Sequence, residues 1–499
     1  MRKKIVVTVL LSLIIFLLSE ADFTAKAESG VIVFYDSSAK DTDNEGNIDS
    51  LLRILNSMGE RVTLYAWNEN LDLSGASKII VLQNKSEALP DKWVQKLANS
   101  KAEIAYIGGT PPAFLADKLQ LKTTAITNAT ITIQTKSGIT GKPQLVSEAN
   151  LITSYKGNAF GEINAFENGK SQYGVQLENY AYVPIFQADN TSEFALVDVL
   201  RSLFETDATS NKYALITGIN PFVDFNKLKT TADTFYEKDI PFIVSAGPVF
   251  YNRDFMAAKN YAEILRYVQA KNGTIVMNVP EVTYGASPAG ELETVIQKSL
   301  HFFAENEIAA LGVSAELYWN FDKVYGTEGF APFSTGVLLP NEKVIHTTKK
   351  NNGSAFRISP YSVTGDFYNT LNGQKNFPID IAITYPFFDS EKDLQAAVSQ
   401  LGDENLSDFR LQTHEVKTTK DTIQSNGGSL YVNEQLITLD SDLKYLKNEK
   451  VKAQQQAGSL EGFFSYQNTF FTIVIVLSLG IIGVLFIFGY RLYMKKYMK

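Results

Sequence analysis

Short runs of wholly apolar residues alternate with longer stretches whose apolar positions recur every three or four residues, and this rhythm repeats along most of the 499-residue chain. Val31 to Tyr35, Val62 to Trp67, Lys78 to Leu82 and Glu103 to Ile107 read as buried strands. Leu51, Leu52, Ile54, Leu55 and Met58 fall on one helical face, and a second helix is predicted over Asp91 to Asn99. The alternation predicts a parallel sheet with helices on its faces over residues 28–205. From about Leu121 to Gln187 the period shortens to two, as in Ala129-Thr-Ile-Thr-Ile-Gln134, and antiparallel strands inserted into that domain are expected. A helix over Glu193 to Phe204 returns to cap the sheet, and the polar stretch Thr206 to Asn211 marks a boundary.

A second unit, residues 212–401, repeats the strand-helix rhythm. Its strands are predicted at Tyr213 to Ile219, Pro241 to Ala246, Gly273 to Val279, Ala309 to Ala315, Gly336 to Leu339, Ala355 to Ile358 and Asp380 to Tyr385. Helical patterns cover Lys227 to Lys238, Ala257 to Ala270 and Glu291 to Asn306. Seven such strands suggest a closed or nearly closed β/α barrel, whose chemistry belongs at the carboxyl ends of the strands. Strands five and six lack convincing helices after them. Residues 402–468 form an extension: Phe409 to Lys417 and Leu430 to Leu439 read as strands, the second following the turn Asn426-Gly-Gly-Ser429. A charged stalk runs from Lys444 to Gln456.

The two ends of the chain read differently from its body. Arg2, Lys3 and Lys4 precede the apolar run Ile5 to Leu18, and Ala25-Lys26-Ala27 offers a cleavage site, so residues 1–27 are expected to be a signal peptide; an uncleaved anchor is the alternative. Phe470 to Tyr490 is long and apolar enough to suggest a transmembrane helix, with Arg491, Lys495, Lys496 and Lys499 in a basic tail at 491–499. The expectation is a single-pass protein of the cell membrane, its large amino-terminal part outside, in contact with the lipid bilayer.

Composition narrows the chemistry. No cysteine occurs, which removes disulfides, thiol nucleophiles and cysteine-ligated zinc. Of 46 Lys/Arg and 54 Asp/Glu, the body between the two end segments keeps 38 and 52, a balance of about −14. Such a surface disfavours nucleic acid and anionic polymers and tolerates neutral or amine-bearing glycans. Strand-end loops in the first domain draw attention to Asp36 and Gly108-Gly109-Thr110. There is no complete GxGxxG or Walker pattern, and no cofactor is expected.

Residues 212–401 carry a resemblance. The order Leu228-Lys-x3-Asp-x3-Glu-Lys-Asp-Ile-Pro-Phe242, then Ile-Val-x-Ala-x-Pro248, following a strand with a polar ending, resembles the polysaccharide deacetylase superfamily and in particular its YdaL-like branch. The resemblance implies a deacetylase-like barrel over residues 212–401, behind an amino-terminal sheet domain that is flavodoxin- or amidotransferase-like. It also implies a link to surface polysaccharide and to other membrane components of its assembly. In that family the first strand ends in Asp-Asp, a general base and a metal ligand, and the third ends in a histidine pair. The matching places here are Thr217-Gly218, or Ile219-Asn220, and Asn278-Val-Pro-Glu-Val282. The strong ligands that a divalent ion needs are missing from them, so no metal residue is assigned. The three histidines, His301, His346 and His414, share no ligand spacing.

Acids and aromatics do remain at the predicted strand ends: Asp224, Arg253, Asp254, Tyr284, Trp319, Tyr385 and Asp389 are candidate glycan contacts. Rings stack on the apolar faces of sugars while acids hydrogen-bond their hydroxyls. Glu281 and Glu316 follow neighbouring strands and are candidate catalytic carboxylates of a glycoside hydrolase. Three readings stay open: a barrel that has lost its metal and binds or supports assembly of polysaccharide, an exported hydrolase, and a deacetylase with unconventional ligands.

Overall fold

Strands of a parallel sheet are buried on both faces, which is why the runs that form them here are apolar throughout. The computed structural model describes residues 30–444 apart from 68–72, 74, 86, 208, 250, 280–289, 323, 342–355 and 374, together with scattered positions from 472 to 491. The first part of the chain runs β1 (Val31–Tyr35), α1 (Asn47–Ser57), β2 (Val62–Ala66), β3 (Lys78–Leu82), α2 (Asp91–Ala98), β4 (Glu103–Ile107) and α3 (Ala113–Leu119). It continues through β5 (Lys122–Gln134), β6 (Gln144–Ser154), β7 (Asn158–Ala165), β8 (Gly169–Leu177), β9 (Tyr180–Val183) and α4 (Ser192–Leu203). Strands β2-β1-β3-β4-β9 are parallel, in the doubly wound order of flavodoxin-like sheets. The antiparallel strands β8-β6-β5-β7 continue from β9, so the insertion widens one sheet to nine strands.

The second sheet is built from β10 (Lys212–Ile219), α5 (Phe225–Glu237), β11 (Phe242–Ala246), α6 (Met256–Ala270), β12 (Gly273–Asn278), α7 (Glu291–Glu305) and β13 (Ala310–Glu316). A short α8 (Leu317–Phe321), β14 (Gly336–Leu339), β15 (Tyr361–Thr364), α9 (Gly365–Thr370), β16 (Ile381–Pro386) and α10 (Glu391–Leu401) complete it. All seven strands are parallel, in the order β14-β13-β12-β11-β10-β16-β15. Thr335 forms a parallel bridge with Ile358, and the Ser362 hydroxyl donates to the Leu338 carbonyl at 2.6 Å, so the edge strands β14 and β15 meet. The sheet is a nearly closed barrel.

Its lumen is packed. Tyr213, Leu215, Ile243, Val276, Val337 and Ala382 come from five strands and form one buried cluster with Phe409. Side chains of strands that are not neighbours meet in this way only inside the curl. Phe409 lies edge-on to Tyr213 at 4.9 Å and stoppers the amino-terminal end of the barrel. Beyond it β17 (His414–Lys417), β18 (Thr422–Asn426), β19 (Ser429–Val432) and β20 (Gln435–Leu436) make a small antiparallel sheet.

Several expectations are corrected. The sixth barrel strand is Tyr361–Thr364, not Ala355 to Ile358, because Pro360 has no N–H for the ladder and pairing with β16 begins only after it. Phe409–Leu411 is a 3-10 turn, and β18 went unread. The expected transmembrane helix at Phe470 to Tyr490, and with it the single-pass membrane location, is also corrected. Among the described residues no helix is long and apolar enough to cross a membrane. Most of that segment lies outside the described residues, as do residues 1–27. Residues 1–441 form one compact unit and residues 442–499 another.

Helix α1 joins the two sheets. Nine of its residues are buried, Ser50, Arg53 and Asn56 among them, so its polar face meets protein where an amphipathic surface helix would meet water. Arg53 donates to the Ser362 carbonyl at 2.7 Å and to the Tyr361 hydroxyl at 3.2 Å, and its guanidinium lies 4.7 Å from the Tyr361 ring centre. Ser359 donates to Asn56 at 2.8 Å. From α4, Phe194 packs edge-on against Tyr361 and Phe377. These helices of the first domain cover β15, which has only the short α9 after it.

Glu193 of α4 is buried beside this cluster, and burial pushes its carboxyl up to about 7, against the pull of Arg53 and of hydrogen bonds from Ser50 and Tyr361. The folded chain therefore holds this proton more tightly than the unfolded one, and the contribution of the group to stability is lost as pH rises from about 4.5 through 7. In urea unfolding at pH 5 and pH 8, Glu193→Gln should flatten the fall between the two by on the order of 1–3 kcal/mol. An unchanged difference would show that Glu193 is not the group responsible.

Candidate functional site

Alternation along a strand fixes which side chains enter the barrel, since every second residue shares a face. Leu215, Ile243 and Val276 lie in the lumen. One step toward the carboxyl ends, Thr217 of β10, Ser245 of β11 and Asn278 of β12 share that face. On β13, Ser314 and Glu316 do too, because Ser314 pairs in register with lumen-facing Val337. The Ser245 and Ser314 hydroxyls meet at 2.6 Å across β12, forming a polar layer above the apolar plug. Above it the mouth carries Thr217, Asn278 and Glu316.

The first strand ends irregularly. Its register to β11 shifts between Ile216 and Ile219, and Gly218 adopts φ +79°. Any L-residue there, a metal-binding aspartate included, would sit in the left-handed region at a cost of roughly 1 kcal/mol. Asn220 then accepts from the Phe222 amide at 2.9 Å, a turn that leaves the Phe222 ring 93% exposed. On the adjacent loop after β11, Tyr251 and Phe255 are 68% and 63% exposed. Sequence reading passed over these three aromatics in favour of the charged residues beside them; Asn220-Pro-Phe222, a turn signal followed by an apolar residue, was the available clue.

At the end of β13, Glu316 precedes a cluster of rings. Trp319 lies 4.2 Å from Tyr325 and its neighbour Tyr318 packs edge-on at 5.3 Å. Asn341 accepts from the Tyr318 amide and donates to Asp49 of α1 at 2.9 Å, so the first domain braces the cluster. Glu316 and Trp319 are thus brought together on one side of the mouth.

The remaining candidates are placed elsewhere. Asp224 caps α5, accepting from the Asn226 and Lys227 amides. Lys227 donates to the Asp389 carbonyl at 2.6 Å, tying two rim loops together, and the Asp389 carboxylate stands in solvent. Arg253 is half-buried and Asp254 exposed in the turn before α6. Tyr385 faces the outer layer: its ring fills the space that a side chain at Gly365 would occupy, and burial pushes its phenol pKa up. Glu281 and Tyr284 lie outside the described residues.

Among the described residues no group of three or more His, Asp or Glu is arranged to hold a metal ion. His414 is buried near the stopper, bonded to Thr335 and to the Phe409 carbonyl, and burial lowers it to about 4, so it stays neutral. His301 pairs with Asp421 at 2.9 Å. His346 lies outside the described residues.

No family model matches the sequence, and no curated protein matches it. Among solved structures, part of the chain is similar to the β-galactosidase of the psychrophilic Marinomonas ef1, at 12% identity and a TM-score of 0.26, over 36% of this chain and 29% of that one. It is also similar to Agd3, a carbohydrate deacetylase, at 12% identity and a TM-score of 0.29, over 58% of this chain and 55% of that one. The chain spans about half the length of Agd3 and under a third of the β-galactosidase. Likenesses this shallow carry no functional weight.

Because its carboxylate is committed to capping, Asp224→Ala should cost about 1 kcal/mol in urea unfolding. Ligand titrations of the same variant should be unchanged. A loss of affinity without a loss of stability would instead make Asp224 a ligand contact.

Proposed function

We propose that this chain is a carbohydrate-binding protein with a deacetylase-like barrel, which takes a polysaccharide at the carboxyl-terminal mouth of the barrel without metal-dependent hydrolysis. The observation that carries this reading is the ring of exposed aromatics, Phe222, Tyr251 and Phe255, on the loops after the first two barrel strands. Scattered apolar residues on a surface are ordinary, but three large rings on two adjacent loops beside a polar mouth form a stacking platform for pyranose faces. Trp319 extends the platform beyond β13.

The deacetylase-like reading of residues 212–401 rests on the sequence resemblance. Thr217-Gly218 supports loss of the metal, since a bulged strand end with a left-handed glycine offers no carboxylate. The acidic balance of the chain favours neutral or amine-bearing glycans, so an oligomer of N-acetylglucosamine is the probe of choice. The lumen-facing position of Glu316 supports a second reading, a glycoside hydrolase in which Glu281 is the partner carboxylate.

Calorimetric titration with an N-acetylglucosamine hexamer in the presence of EDTA should show binding. Phe222→Ala and Trp319→Ala should each weaken it about tenfold, the scale of 1–1.5 kcal/mol for one stacked ring. Acetate release that EDTA abolishes would overturn the proposal. Reducing-sugar release that Glu316→Gln abolishes would replace it with the hydrolase.

A further inference from the structure

The first sheet holds a second cleft, separate from the barrel mouth and independent of the reading given for it. Strands β1 and β3 are neighbours whose connections leave in opposite directions, and the crevice at such a switch point is where open α/β sheets bind ligands. A cleft of about 350 Å³ lies there, over the ends of β3, β4 and β9, with strand β6 of the antiparallel extension as its far wall. That volume is at the small end of the roughly 300–1,000 Å³ of small-molecule sites.

The floor is rigid for identifiable reasons. Asp36, at the end of β1, accepts from the Asn84 and Lys85 amides at 2.9 and 2.7 Å. Gln83 donates to the Lys85 and Glu87 carbonyls and accepts from the Tyr106 hydroxyl at 2.5 Å. Gly108 and Gly109 lie pressed on Gln83: a Cβ at 108 would fall 2.2 Å from its carbonyl oxygen, and one at 109 would fall 2.0 Å from its side-chain oxygen. The glycine pair that stood out in the sequence thus keeps its loop low and the cleft open.

What points to a ligand is Asn150. It lines the cleft from β6, is only 7% exposed, and its side-chain amide makes no hydrogen bond among the described residues. Its polar atoms open into the cleft and are not sealed in the core, so a ligand hydroxyl would take the place of water there. Leu82, Ile107 and Phe186 lie beneath the same cleft, buried in the core. The amides of Asn44, Asn84 and Asn150 and the hydroxyls of Thr42, Thr110 and Ser147 match the hydroxylated edge of a sugar ring. The lining acids Asp41, Asp43 and Glu148 outnumber Lys85, which disfavours an anion.

We infer that this cleft binds a short neutral or amine-bearing saccharide of one or two units, held through Asn150. The test uses the full chain carrying Phe222→Ala and Trp319→Ala, which silence the barrel mouth, and ligand-observed NMR with glucose, glucosamine, N-acetylglucosamine and glucuronate. At least one of the first three should bind, and glucuronate should bind at least tenfold more weakly. Asn150→Leu should abolish binding. Thr110→Trp, a change at the exposed lip that buries nothing, should weaken it at least tenfold. The inference is overturned if none of the three sugars binds at millimolar concentration, if glucuronate binds as well as they do, or if binding survives Thr110→Trp.

Discussion

A guanidinium taken out of water must find partners or it destabilises the fold that encloses it, and Arg53 finds them on the barrel. Its bonds to Ser362 and Tyr361 require α1 to lie against β15, and α1 can reach β15 only if the first sheet stands beside the barrel. Glu193 of α4 is buried beside it, with burial favouring the protonated carboxyl and Arg53 pulling toward the ionised one. The rest of residues 30–441 is arranged around this junction. The barrel strands that lack long helices of their own are covered by helices from the preceding domain, and Asp49 carries the same contact on to Asn341 and the rings behind the mouth.

The barrel mouth itself combines few charges with many surfaces. Hydroxyls of Ser245 and Ser314 satisfy each other below it, so the polar layer is stable without a ligand. Glu316 is the carboxylate that the described strand ends present to the lumen. Rings stand on three loops at the carboxyl ends of the strands, and two of those loops carry local turns: Asn220 accepts from Phe222, and Asp322 accepts from Val324 and Tyr325.

Much of this was legible in the sequence, and the reason is burial on both faces. Barrel strands such as Phe242–Ala246 and Gly273–Asn278 are apolar at nearly every position, so periodicity located them within a residue or two. The sixth strand was misplaced because Ala355 to Ile358 looks as apolar as Tyr361–Thr364, and only Pro360 decides between them. The helical face of α1 was read correctly from its leucines and isoleucines. Its polar face was not, because Ser50, Arg53 and Asn56 look like a solvated surface until the barrel is placed against them. At the candidate site, charge drew attention to Asp224 and Asp389, which cap and tie loops. The side chains that stand free in solvent, such as Phe222, resemble ordinary core residues in a linear sequence. The apolar carboxyl-terminal segment suggested a span that no described helix provides.

Phe409 gives the barrel a closed end. With the Tyr213 ring against it and His414 packed behind, the lumen is a cup and not a pipe. Nothing can be drawn through it, and whatever enters the cup must back out the way it came. A ligand longer than the cup is deep would therefore have to meet the barrel from the side, with no need of a free end.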